Sequence, residues 1–119
     1  MIYEFLKPVS SEIIEFVENL PSHSLGKKTS FHTADVFPDL AGFSIAIVSV
    51  NDTRGDNQEK IDLDFSQIRK RFYSLFPGNW NVSIADLGTV EAGASIEDTY
   101  FVVKKLVEEL VKKRILPII

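Results

Sequence analysis

Phe43-Ser44-Ile45-Ala46-Ile47-Val48-Ser49-Val50-Asn51 is an apolar, largely β-branched run that stops abruptly at Asp52-Thr53-Arg54-Gly55-Asp56. Before Asn51, serine is its only polar interruption, the pattern of a strand covered on both faces, as central strands of parallel sheets are. The polar loop begins at the strand's carboxyl end, where open α/β sheets place their ligands. Asn51, Asp52, Arg54 and Asp56 are therefore candidate site residues.

After this loop the spacing predicts a helix over about residues 64–76. Asp64 is suited to cap it with Gln67 three residues on, and Phe65, Ile68, Phe72, Leu75 and Phe76 share one face, expected to be core. Arg69, Lys70, Arg71 and Ser74 are expected to face away, and Pro77-Gly78-Asn79 supplies the stop. Val82 to Gly88 reads as a second strand, with Gly88 to Ala94 as the loop at its carboxyl end. Ser95-Ile96-Glu97-Asp98 matches a capping box, opening a helix whose expected buried stripe is Ile96, Tyr100, Val103, Val107 and Leu110. Ile115-Leu116-Pro117-Ile118-Ile119 is a third apolar strand.

Strand, helix, strand, helix, strand at this spacing predicts two right-handed crossover units sharing a parallel sheet. The expected fold class is α/β, a three-layer α-β-α arrangement of three core strands in the order 2-1-3 within residues 43–119. Residues 1–42 form an amino-terminal extension of the same single domain. It holds an amphipathic helix over about 11–20 on Ile13, Ile14, Val17 and Leu20, and a short strand near Thr29 to His32.

Composition narrows the classes. With 45% hydrophobic and 25% charged residues, the 119-residue chain has the makeup of one globular domain. It contains no Cys, so no disulfide framework forms, which fits a cytoplasmic setting. Its 13 basic residues are outnumbered by 17 acidic ones and dispersed, which argues against nucleic-acid binding. No apolar run approaches the ~20 residues that span a bilayer. Met1 to Pro8 lacks the basic lead and apolar stretch of a signal peptide, so neither membrane nor export is expected.

Asp52, Arg54, Asp56 and Asp86 could together bind a metal or phosphate at strand ends. The alternative is structural: the aspartates shape turns, Arg54 pairs with a neighbouring carboxylate, and Asp86 caps or bonds backbone, the reading favoured for Asp86. His23 and His32 are nine apart in an irregular segment, a spacing unsuited to a shared metal. No Gly-x-Ser-x-Gly elbow, Gly-x-Gly-x-x-Gly turn or phosphate loop follows any strand.

Four pieces, in order and spacing, carry a family resemblance. Val48 to Asp56 is similar to the first strand and loop of the ureohydrolases, the arginase, agmatinase and formimidoylglutamase superfamily. Phe65 to Phe72 resembles the helix that follows there, Ile84 to Val90 the Asp-Leu-Gly-Asp-Val strand end, and Leu116 to Ile119 the strand before a Gly-Gly-Asp-His motif. Ser24 to Lys28 and Phe37 to Leu40 further resemble a longer, Bacteroidetes-type bacterial branch. The chain departs from the pattern at Asp64-Phe65, where the family has Gly-Pro, and at Gly55-Asp56, where it has Gly-Asn.

The resemblance implies that a complete relative is a hydrolase of guanidino or formimino C–N bonds using two manganese ions. It places the metal ligands after the last residue here, so it implies no metal or other cofactor in this chain. Asn51, Asp52, Arg54 and Asp56 become rim residues of a site whose floor lies elsewhere. The expected partners are the remainder of a full-length chain and a second copy meeting the exposed last strand. The competing expectation is a standalone, non-catalytic α/β binding or interaction module.

Overall fold

The computed structural model describes residues 2–57 and 61–119. Five strands make one mixed sheet: β1 (Leu6–Lys7), β2 (Thr29–Phe31), β3 (Ile45–Asn51), β4 (Ile84–Glu91) and β5 (Leu116–Ile118). The helices are α1 (Ser11–Glu18), the single turn α2 (Arg54–Asn57), α3 (Ser66–Tyr73) and α4 (Ile96–Lys112). Strands β4, β3 and β5 lie side by side and parallel, with β3 central, which is the anticipated order of the three core strands.

The sheet is larger than the three-strand, all-parallel one expected. β2 runs parallel to the first half of β4, and β1 runs antiparallel to its second half, pairing Leu6 with Val90 and Lys7 with Thr89. These short pieces occupy the side of β4 away from β3 and satisfy backbone groups that would otherwise form an open edge. Two residues leave no alternation to read, which is why β1 escapes a pattern search.

β4 also continues to Glu91, through the stretch expected to be a loop. Gly88 does not end the strand but lies in a bulge: Ile47 pairs with Asp86 and Val48 with Gly88, leaving Leu87 without an opposite number. Gly88 has φ +93, and a Cβ there would run into the Lys7 carbonyl oxygen. The inserted residue changes which side chains face which layer. Ala85, Leu87 and Val90 join Ala46, Val48, Leu106 and Leu110 in the main core beneath α4. Asp86 and Thr89 face the opposite layer, where Ser49 Oγ is 2.7 Å from Thr89 Oγ1.

That second layer holds the largest departure from the helical pattern. α3 was expected to bury Phe65, Ile68, Phe72, Leu75 and Phe76; instead Arg69 and Tyr73 are buried while Ile68 is 67% exposed and Leu75 and Phe76 are also exposed. The cause is Asp86, fully buried in mid-strand. Arg69 donates to it twice, from Nε at 2.8 Å and Nη2 at 2.9 Å. Tyr73 Oη donates at 2.5 Å and Gly88 N at 3.0 Å. Positions 69 and 73, four apart, share one helical face. Once a buried carboxylate recruits that face, the apolar stripe must turn sideways. Burial, reinforced by Asp86, pushes the Tyr73 phenol well above its ordinary pKa, so it stays a donor. The helix is also shorter than anticipated, and Asp64 bonds the Ser66 amide without serving as its N-cap.

α1, with Val9 just before it, packs Ile13 and Val17 around Tyr73, and its Glu12 meets Lys70 at 2.6 Å. At α4 the capping box forms as expected, Ser95 and Asp98 bonding each other's amides at 3.2 Å. Its buried residues are Thr99, Leu106 and Leu110, and Tyr100 is exposed, because Thr99 is drawn inward by Asp52. Glu108 pairs with Lys105 at 3.6 Å. Among the described residues no helix is long and apolar enough to cross a membrane.

Gly88→Ala is expected to cost more than about 2 kcal/mol in urea unfolding, combining positive φ with a backbone collision. Gly42→Ala, at φ +92 with nothing within 4 Å, should cost only about 1 kcal/mol. Equal losses would remove the close approach of β1 as the cause. Arg69→Leu should cost about 3–5 kcal/mol by stranding a buried carboxylate, and the Arg69→Leu/Asp86→Leu double variant should regain much of it, measured in the same way.

Candidate functional site

The carboxyl ends of β3 and β4 bring the sequence-nominated residues together with others that no local pattern marked. Asn51, at the end of β3, is buried. Its amide nitrogen donates to Glu91 Oε2 at 3.0 Å, and its oxygen accepts the Leu63 amide at 2.9 Å. It thus ties the last residue of β4 to the chain entering α3.

Asp52 and Arg54 form a second tie. The Asp52 side chain is 2% exposed. Oδ1 accepts Arg54 N at 3.1 Å and Nε at 3.0 Å, while Oδ2 accepts Arg54 Nη2 at 2.8 Å and Thr99 Oγ1 at 2.7 Å. The guanidinium continues to the Gly93 and Ala94 carbonyls, at 2.8 and 3.2 Å, and Thr99 Oγ1 accepts the Gly93 amide at 2.8 Å. The planar guanidinium suits this many-point task, since its donors diverge in fixed directions. Hydrogen bonding by Arg54, joined by Thr99, outweighs burial and holds the Asp52 carboxyl well below the usual carboxylate range. The pairing reading of Arg54 therefore describes its contacts: it is a strut between two loops.

Asp56 lies in the α2 turn, and its side chain falls outside the described residues. Asp86 is distant from these loops in role, since it anchors α3. It bonds backbone at Gly88, as read from the sequence, but its charge is met by Arg69, which the sequence reading had placed on the outer face. His23 stacks on Phe76 at 4.5 Å between ring centres. His32 places Nδ1 2.9 Å from the Leu87 carbonyl oxygen. The two histidines thus serve separate packing sites.

Between these loops and the amino-terminal strap lies a cleft of about 520 Å³, lined in part by Lys7, Asn51, Asp64, Ser66, Arg69 and Glu91. Lys7 Nζ lies 3.7 Å from Glu91 Oε1. Volume and mixed polar lining suit a small polar molecule. No protein-family model, curated protein or solved structure matches this chain. Lys7, Thr89 and Glu91 were missed as site residues because pairing β1 with β4 assembles the cleft from distant segments. The one local signal was Gly88, since a glycine inside a strand pattern marks a bulge or close approach.

Asp52 has a lower pKa folded than unfolded, so its stabilising effect is complete above about pH 4 and is lost as the pH falls. The stability difference between the protein and Asp52→Asn, measured by urea unfolding, should therefore be smaller at pH 3 than at pH 7. A difference independent of pH would show that the Asp52 charge contributes nothing.

Proposed function

We propose that this chain is the amino-terminal part of a ureohydrolase-like protein, supplying the sheet centre and the wall of a site rather than its catalytic ligands. The observation that carries the reading is the parallel core of β4, β3 and β5, in keeping with the α/β fold with a parallel sheet that the resemblance implies. The connection leaving β3 passes to the β4 side. In this reading the chain leaving β5 would run away from β3, so that the carboxyl ends of β3 and β5 would flank a topological switch point, the usual ligand position in such sheets. Asn51 and Asp52 sit at that end, and the Arg54 strut fixes the loop beside it.

The complete protein would hydrolyse a guanidino or formimino C–N bond, for which a metal pair supplies an activated water. The residues here do not fit such a pair: among the described residues, no three His, Cys, Asp or Glu side chains are grouped to hold a metal. In this reading the ligands come from elsewhere in the protein, and this chain alone performs no turnover. A second reading, a standalone binding module, draws on the cleft by Lys7 and Glu91.

Given manganese, the 119-residue chain should release no urea from arginine or agmatine and no formamide from formimidoylglutamate; turnover by the chain alone would overturn the proposal. The coding sequence after Ile119 should continue into Gly-Gly-Asp-His and then Asp-x-His-x-Asp. A stop codon there would instead favour the binding module.

A further inference from the structure

The sideways turn of α3 leaves a groove of about 390 Å³ between that helix and β5. Its floor includes Ile47 and Ser49 of β3, one wall is Ile68 and Phe72 of α3, and the other is Ile118 and Ile119. Leu116, Ile118 and Ile119 are exposed, as is Ile68. Such a contiguous apolar surface marks a contact face rather than chance exposure.

We infer that this groove receives an amphipathic helix with acidic residues flanking its apolar stripe, lying alongside α3 on the sheet. Its shape follows from the backbone of β5. The Leu116 amide donates to the Ser44 carbonyl at 2.9 Å, so residues 116 and 118 turn their backbone groups toward β3 and Pro117 faces outward. Proline has no N–H, so the middle of the outer edge offers an acceptor and no donor, an edge poorly suited to pairing with an added strand. The sheet face beside α3 is what stays available, and helices packed side by side there stand about 8–10 Å apart.

Charge selects among helices. α3 reads Ser-Gln-Ile-Arg-Lys-Arg-Phe-Tyr, three basic residues and no acid. Arg69 is neutralised by Asp86 and Lys70 by Glu12. Arg71 is exposed and, three residues from Ile68 and four from Leu75, borders the outward stripe. A second copy would bring another α3 with the same three basic residues and no acid, whereas an acidic flank would complement Arg71. The groove, not the family resemblance, dictates this occupant.

The probes are two labelled helical peptides of about 18 residues, long enough to hold helix, with one leucine stripe flanked by Glu in the first and Lys in the second. Fluorescence anisotropy on the full 119-residue chain should show the Glu-flanked peptide binding at least about tenfold more tightly at low salt, with the gap narrowing as salt rises. Arg71→Glu should reverse the preference, and Ile68→Glu, at an exposed position that folding tolerates, should abolish binding of the Glu-flanked peptide. Failure of both peptides to bind, equal binding, or a preference unmoved by Arg71→Glu would overturn the inference. So would sedimentation showing a dimer of the chain that Ile68→Glu dissociates, since the occupant would then be a second copy.

Discussion

A carboxylate with no access to water sits within β4, the longest of the described strands, and the neighbouring layer is arranged around it. Leaving Asp86 charged and unpaired would cost several kcal/mol, so its surroundings must bring both an opposite charge and directed donors. Arg69 brings the charge in bidentate form, Tyr73 adds a hydroxyl, and the bulge turns the Gly88 amide toward the same group. The network reaches β3 through Arg69 Nη1, which donates to Ser49 Oγ at 3.2 Å. α3 is thereby fixed in rotation about its own axis. α1, packed on Tyr73, inherits that placement.

The strand ends follow the same logic in a milder setting. Asp52 is nearly as enclosed as Asp86, and an arginine again meets it, this time two residues away. Here the guanidinium spends its remaining donors on carbonyl groups of the loop after β4. One ion pair orients a helix and the other holds two loops together. Both use the fork geometry that a lysine could not reproduce.

What was legible in the sequence was what depends on local periodicity and local chemistry. The apolar run of the central strand and the capping box at Ser95 are set by neighbours within a few residues, and the parallel core follows from the strand–helix–strand spacing of the chain. The rotation of α3 was not legible, because the residue that decides it lies 17 positions downstream of Arg69. A hydrophobic stripe says which side of a helix prefers burial in general, and a buried carboxylate overrules that preference in particular. Thr99 likewise turns α4 through a contact 47 residues away. Of the nominated loop residues, Asn51, Asp52 and Arg54 do gather at the strand ends, but their side chains are engaged with one another, Glu91 and backbone. The open cleft beside them is drawn from Lys7 and Glu91, which only the pairing of distant strands makes neighbours.

The unpaired Leu87 has a consequence for how this chain can change. It acts as a phase slip in an otherwise two-beat code: before it, even-numbered side chains of β4 address the α3 layer, and after it odd-numbered ones do. Point substitutions leave that slip intact, so each half of the strand can drift on its own terms. A one-residue deletion at Leu87 or Gly88 would remove the slip yet leave Thr89 and Glu91 on the α3 side and Val90 in the core, whereas one extra residue between Gly88 and Glu91 would turn Thr89 or Glu91 toward the core. What the slip supplies is local: it turns the Gly88 amide onto Asp86 and brings Gly88 against the Lys7 carbonyl, so its loss would be felt at the buried carboxylate and at β1 rather than in the facing of the cleft residues.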